Sequence, residues 1–221
     1  MVDGAERRLV EQIAALREPQ RENLRILYAT ATPEGELRVS QEIRRIKAAV
    51  ASSLHRDAVE IETAPDVTVD DLLNYLTTFR PHIVHFSGHA NGDVLVFDEG
   101  GIEGVACAIS ISGFMRAVSS PDKPPALVVL NACESATNLE HLLAGVPLAI
   151  GMAAPVGDAD AITFATRFYR AVADGQSVQG ALAIARAAME LNGMPDHELP
   201  TLVAAPGVDP SAVRLVLGLE V

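Results

Sequence analysis

A histidine and a cysteine, each set at the end of an apolar run, are the residues through which this chain could do chemistry. The first run, residues 82–90 (HIVHFSGHA), ends in Ser87-Gly88-His89; the second, residues 126–135 (ALVVLNACES), passes through Asn131-Ala132-Cys133. A thiol beside an imidazole makes a nucleophile and an acid–base partner. Short Val/Ile/Leu runs bounded by turn residues read as buried strands of a parallel sheet. In open α/β sheets the ligand crevice lies outside the carboxyl ends of the strands. Two neighbouring strands ending in His89 and Cys133 would deliver the pair to one edge.

The rest of the chain supplies the elements that must position them. Residues 3–18 carry Leu9, Val10, Ile13 and Leu16 at helical spacing, with Pro19 as a stop. LRILYATA at 24–31 is the first strand and TPEGE at 32–36 a turn. A helix is expected over 37–54, with Val39, Ile43, Ile46 and Val50 as its apolar stripe and QEIRRIK as its charged face. Residues 58–65 alternate as an edge strand does. Thr68 caps a helix to about Phe79, with Asp70 and Asp71 in its first turn. DVLVFDEGG suggests a hairpin turning at residues 98–101, with Cys107 structural in that region and a helix over 109–118. A short helix near 138–144, a strand at 147–153, helices at 158–173 and 178–192, and tail strands near 200–204 and 213–217 complete the chain. Strands alternating with helices predict an α/β fold, a mostly parallel central sheet with helices on both faces.

Composition narrows the function classes. At 221 residues with 49% hydrophobic content the chain is globular and long enough for one sizeable core. Its apolar runs fall short of a membrane span, and the first residues lack the apolar stretch of a secretory signal, so a cytoplasmic protein with no membrane partner is expected. Two cysteines exclude a four-thiolate zinc site and do not suggest a disulfide scaffold. The net charge of −12 argues against nucleic acid. It is uneven: residues 1–56 hold 10 Lys/Arg against 8 Asp/Glu, the remainder 7 against 21. The longer part, which holds the candidate site, is acidic and favours cationic partners.

With both motifs in view, the chain resembles the CHAT family of caspase-like cysteine peptidases, relatives of caspases, separases and clostripain. ILYATATP with LRVSQEIRRI resembles the family's opening strand and helix, RPHIVHFSGHA its histidine strand, and LVVLNACES its cysteine strand. The segment from LAIGMAAPVGD to ALAIA resembles its C-terminal strand and helices. The resemblance covers about residues 24–204 and implies a caspase-like three-layer sandwich, with residues 1–22 a helical extension and 23–221 the CHAT domain. It implies peptide-bond hydrolysis without a cofactor, Cys133 as nucleophile, His89 as its partner, and the backbone N–H groups of Cys133 and Ala90 as oxyanion hole. The His–Cys spacing of 44 residues is close to the roughly 50 of caspases.

Two departures bear on specificity. Ala90 stands where caspases place Gly, and would be strained if that position needs a positive φ. Glu134 replaces the arginine that follows the caspase nucleophile, so cleavage after Asp is not expected. Asp158 and Asp160 fall just after the strand at 147–153; they either line an acidic substrate pocket or cap the helix that follows. Glu134 is a third pocket candidate or else a solvated charge. Gly88 is read as letting the chain turn and Ser87 as orienting His89. His82, His85 and His89 do not make a metal site, since only His85 and His89 share a strand face; His85 is read as a core histidine. The leading function is an endopeptidase acting on a protein or peptide substrate in bacterial defence or regulated proteolysis, under an activating protein partner or homo-oligomerisation. The alternative is a catalytically silent interaction module. A flavodoxin-like nucleotide binder is weaker, because TPEGEL has two Glu where a phosphate loop needs Gly.

Overall fold

The computed structural model describes residues 23–31, 37–88, 90–91, 94–98, 106–132, 135–136, 139, 143 and 145–216. The helix read over 3–18, the turn at 32–36, residues 99–101 of the hairpin turn and most of the short helix near 138–144 lie outside these residues.

Nine strands and five helices are described. Strands β1 (Leu24–Ala31), β2 (Val59–Ala64), β3 (Ile83–Gly88), β7 (Leu127–Asn131), β8 (Leu148–Met152) and β9 (Pro200–Ala204) form one sheet in the order β2-β1-β3-β7-β8-β9. Every pairing is parallel except β8 with β9. The sequence dictates this: β3, β7 and β8 are runs of Val, Ile, Leu and other buried residues, as strands covered on both faces must be. β2 alternates and carries Glu60 and Glu62, which suits its place at the sheet edge. The strand order reverses between β2-β1 and β3, a switch point of the kind at which α/β sheets open their crevice.

Helices cover both faces. On one lie α1 (Leu37–Ala51), α4 (Asp158–Ala173) and α5 (Val178–Leu191), packing Ile46, Val50, Phe164, Phe168 and Leu182 onto Ile26, Ile83, Val129 and Ile150. On the other lie α2 (Val69–Thr78) and α3 (Ile111–Val118), whose Leu72, Leu76, Phe114 and Val118 pack on Leu27, Val84, Val128 and Leu130. A second sheet, β4 (Ala90–Asn91), β5 (Val94–Asp98) and β6 (Ala106–Ser110), joins this face through Leu95 and Phe97. The result is a three-layer sandwich.

Local signals set the boundaries. Thr68 and Asp71 form a reciprocal capping box at the start of α2. Ser110 accepts the Gly113 N–H, so α3 begins at Ile111, and the residues read as its first turn belong to β6. α1 ends at Ala51 rather than at Leu54. The second tail strand shrinks to a single bridge between Ser177 and Arg214. No helix among the described residues is long and apolar enough to cross a membrane.

Candidate active site

The candidate residues sort by what the strands do. β3 and β7 are neighbours, and Ser87 pairs with Asn131 at their carboxyl ends. Across the adjoining pair, Thr30 of β1 is the partner of Ser87. Thr30, Ser87 and Asn131 therefore make a polar row across three strands, all buried. His89, Cys133 and Glu134 lie outside the described residues; Gly88 and Ala90 stand on either side of the first, and Ala132 and Ser135 bracket the other two.

On the histidine side, Gly88 ends β3 and Ala90 opens β4, which pairs with β5. Gly88 is not a turn residue. A Cβ there would stand 2.8 Å from the Ala31 carbonyl oxygen and 3.1 Å from the Phe86 ring, so glycine is required by close approach to β1. Ala90 is not strained, since positive φ at non-glycine residues occurs only at Asp66 and Arg80 among the described residues. On the cysteine side, Ser135 is buried and clamps the chain as it leaves β7. Its Oγ donates to the Leu130 carbonyl at 2.8 Å and accepts the Met152 N–H at 3.0 Å. The Ala136 N–H donates to the Met152 carbonyl, and Gly151 leaves room for that approach, because a Cβ on it would meet Ala136 N at 2.7 Å.

Behind the polar row stands Glu42 of α1. It is 5% exposed and faces the sheet, although QEIRRIK reads as a solvated face. Its Oε2 accepts the Ser87 hydroxyl and its Oε1 the Asn131 amide, each at 3.1 Å. The Ser87 hydroxyl thus serves Glu42; its expected role of orienting His89 falls on a residue outside those described. Burial raises the Glu42 carboxyl above the ordinary range, and the nearby Tyr28 hydroxyl together with hydrogen bonds from Ser87 and Asn131 opposes that rise. The Tyr28 hydroxyl, buried without a partner of good geometry, feels the same carboxylate and is pushed well up, chiefly by burial. Two residues deeper, His85 stacks on Tyr28 at 4.2 Å and its Nδ1 shares a hydrogen bond with the Tyr169 hydroxyl at 2.8 Å. Burial lowers its pKa to about 3, so it is a neutral core histidine.

The acidic candidates are not alike. Asp158 and Asp160 sit in the first turn of α4, beyond the carboxyl end of β8, on the edge where β3 and β7 end. The N-cap of α4 is Gly157, so neither aspartate caps it. Asp158 is exposed, while Asp160 is buried and accepts the Asp196 N–H at 3.1 Å. Asp196 in turn accepts the Gly157 N–H at 2.8 Å, locking the start of α4 to the turn before β9. Cys107 lies on β6 opposite Phe97 and is half-buried. The described residues hold no group of His, Cys, Asp and Glu arranged for a metal ion.

Glu42, Ser135 and Gly151 escaped the sequence reading. For Glu42 a signal exists: Glu42, Ile46 and Val50 are four residues apart and share one helix face, and all three are buried.

Comparison with known proteins agrees with this architecture. The profile of the CHAT domain matches residues 5–200. No curated protein is significantly similar in sequence. Among solved structures, the Arg-specific cysteine proteinase gingipain R aligns with a TM-score of 0.61 at 10% identity, covering 97% of this chain and 54% of its own. A secreted C11 cysteine protease from Bacteroides thetaiotaomicron, solved with an irreversible peptide inhibitor, gives 0.50 at 13% identity, covering 73% and 58%. Caspase-1 from Spodoptera frugiperda gives 0.52 at 9% identity, covering 86% and 90%. The chain thus spans little more than half the length of the first two proteases and most of the caspase. At these identities the likeness is one of fold, and the fold is caspase-like.

Proposed function

Because the chain belongs to the CHAT domain family, we propose that it is a cysteine endopeptidase with Cys133 as nucleophile and His89 as acid–base partner. The observation that carries the reading is the pairing of Ser87 with Asn131. Each stands two positions before one member of the dyad, on adjacent parallel strands. In the reaction, the Cys133 thiolate attacks the scissile carbonyl carbon and a C–S bond forms. The His89 imidazolium gives its proton to the amine as the C–N bond breaks. Water, deprotonated by the same imidazole, then hydrolyses the thioester and frees the thiolate. The N–H groups of Cys133 and Ala90 hold the oxyanion. The clamp by Ser135 and the fit of Gly88 against β1 support this reading, since preorganisation needs rigid flanks.

Acidic side chains at the same edge favour a basic residue at the cleaved bond. Asp158, exposed at this edge, Asp160, with one oxygen engaged by Asp196, and Glu134 are the three pocket candidates. The Arg specificity of gingipain R agrees with that choice. The enzyme would work in the bacterial cytoplasm, in defence or regulated proteolysis, under control of a protein partner or of self-association. A strained Ala90 would favour the silent-module alternative; Ala90 sits in β4 without a positive φ.

The test is digestion of a proteome-derived peptide library by wild type and Cys133→Ala, with new N-termini read by mass spectrometry. Cleavage after Arg or Lys by wild type alone is expected. Cleavage after Asp, or equal cleavage by both proteins, would contradict the proposal.

A further inference from the structure

We propose that Glu42 is a positioning residue of the peptidase site: its buried carboxylate ties the ends of β3 and β7 together and so fixes the spacing of what those strands deliver. The inference rests on the reading of His89 and Cys133 as a dyad and names how the fold would hold it. A carboxylate that is 5% exposed is costly to bury, and no described residue offers Glu42 a cation. What it has are two donors on two strands, Ser87 on β3 at 3.1 Å and Asn131 on β7 at 3.1 Å, one to each oxygen. Backbone pairing between β3 and β7 ends with the same two residues, so beyond them the ladder no longer sets the strand separation. Glu42 bridges the strands at that last rung, from a helix packed over both.

The neighbourhood argues against a merely stabilising role. Thr30 Oγ1, Asn131 Oδ1, the Tyr28 hydroxyl and His85 Nε2 are all buried nearby without hydrogen-bond partners. A cluster kept for stability alone would be replaced at little cost by apolar side chains, as on the opposite face of the sheet. Buried polar groups left unpaired are a cost that a purely structural face would shed. The groups that face Glu42 are Tyr28 from β1, Ser87 from β3, Asn131 from β7 and Tyr169 from α4, with His85 next to them; the two phenols and the imidazole are uncharged at neutral pH.

The experiment is the pH dependence of alkylation by iodoacetamide, mapped by peptide mass so that Cys133 is read separately and Cys107 serves as internal reference. It needs no substrate and no activator. Wild type, His89→Ala, Glu42→Ala, Glu42→Gln and Ser87→Ala are compared on protein shown to be folded by its melting curve. A paired thiolate places the wild-type midpoint below the ordinary thiol value of about 8.5, and His89→Ala raises it. Glu42→Ala is expected to move it toward that of His89→Ala, with alkylation at neutral pH roughly tenfold slower, the equivalent of one pKa unit. Glu42→Gln keeps an acceptor for Asn131 and a donor for Ser87, and should return to within about threefold of wild type. Should Glu42→Ala fail to fold, Ser87→Ala shifts the profile in the same direction by less.

If His89→Ala matches wild type, the dyad reading falls and this inference with it. If His89→Ala shifts but folded Glu42→Ala or Ser87→Ala superimposes on wild type, the dyad stands and Glu42 is not its positioning residue. Glu42→Gln behaving like Glu42→Ala would overturn positioning by hydrogen bonds.

Discussion

The two faces of β1, β3 and β7 are made by alternate residues of the same three strands, yet they are built differently. One face carries Ala29, Ala31, Phe86, Leu130 and Ala132 up to the carboxyl edge, and Phe86 packs against Phe97 and Phe114 with ring centroids 4.8 and 6.0 Å away. The other begins apolar with Ile26, Ile83 and Leu127, then turns polar: Tyr28 and His85, then Thr30, Ser87 and Asn131 under Glu42. Both faces are equally buried. The first gains from burial without conditions; the second gains only where each polar atom finds a partner. The polar change occurs at the edge from which the chain runs on toward His89 and Cys133. Apolar packing fixes the sheet, and polar contacts refine its end.

If the faces divide labour in this way, substitutions should separate them. Phe86→Ala removes the central ring of the apolar face and should cost about 3–5 kcal/mol in denaturant melts. Cys133 reactivity of the molecules that remain folded should be unchanged; a large drop would mean that the faces are not independent. Ser135→Ala leaves the Leu130 carbonyl and the Met152 N–H without their partner and should cost about 2–3 kcal/mol. In that variant Cys133 reactivity should fall as well, since the clamp lies two residues from Cys133 in sequence.

The polar face should also be the pH-sensitive one. His85 is held at about 3 by burial, against about 6.5 in the unfolded chain, so the unfolded state takes up its proton first as pH falls. Its contribution is complete above pH 6.5 and declines toward about pH 3, with about 2 kcal/mol lost by pH 5. Glu42 has the opposite sign. Its raised carboxyl favours the fold at low pH, and that contribution is lost as pH rises through its folded value. The difference between wild type and His85→Gln, measured at pH 8 and pH 5, isolates the histidine; a difference that does not change with pH would refute the assignment. Smallest of all, Thr68→Ala, far from either region, should cost about 1 kcal/mol through loss of the capping box and leave reactivity untouched.

Much of this architecture is legible from local pattern. LRILYATA is β1 from first residue to last, and DADAITFATRFYRAVA is α4 likewise, because an uninterrupted apolar run and a helical stripe are one-dimensional signals. The cap at Thr68 is equally local. Long-range geometry was harder to read. Gly88 is needed because the Ala31 carbonyl is 2.8 Å from where its Cβ would stand, and nothing near Gly88 in sequence announces that. Asp160 is engaged by the N–H of Asp196, 36 residues on. Glu42 looked like part of a charged face because a carboxylate is expected in water. Its burial is decided by Ser87 and Asn131, 45 and 89 residues away. The family blocks single out His89 and Cys133 in sequence, whereas the strand order that makes β3 and β7 neighbours comes from the fold.

The central claim, that the polar edge serves a Cys133–His89 peptidase, is tested most directly by intact-mass labelling with peptidyl electrophiles ending in basic, aliphatic or acidic residues. Wild type, Cys133→Ala and His89→Ala would be run together. The account predicts one adduct per chain at Cys133, fastest with a basic end residue, absent in Cys133→Ala and much slower in His89→Ala. Labelling no faster than that of a free thiol, indifferent to His89 and to the end residue, would contradict it.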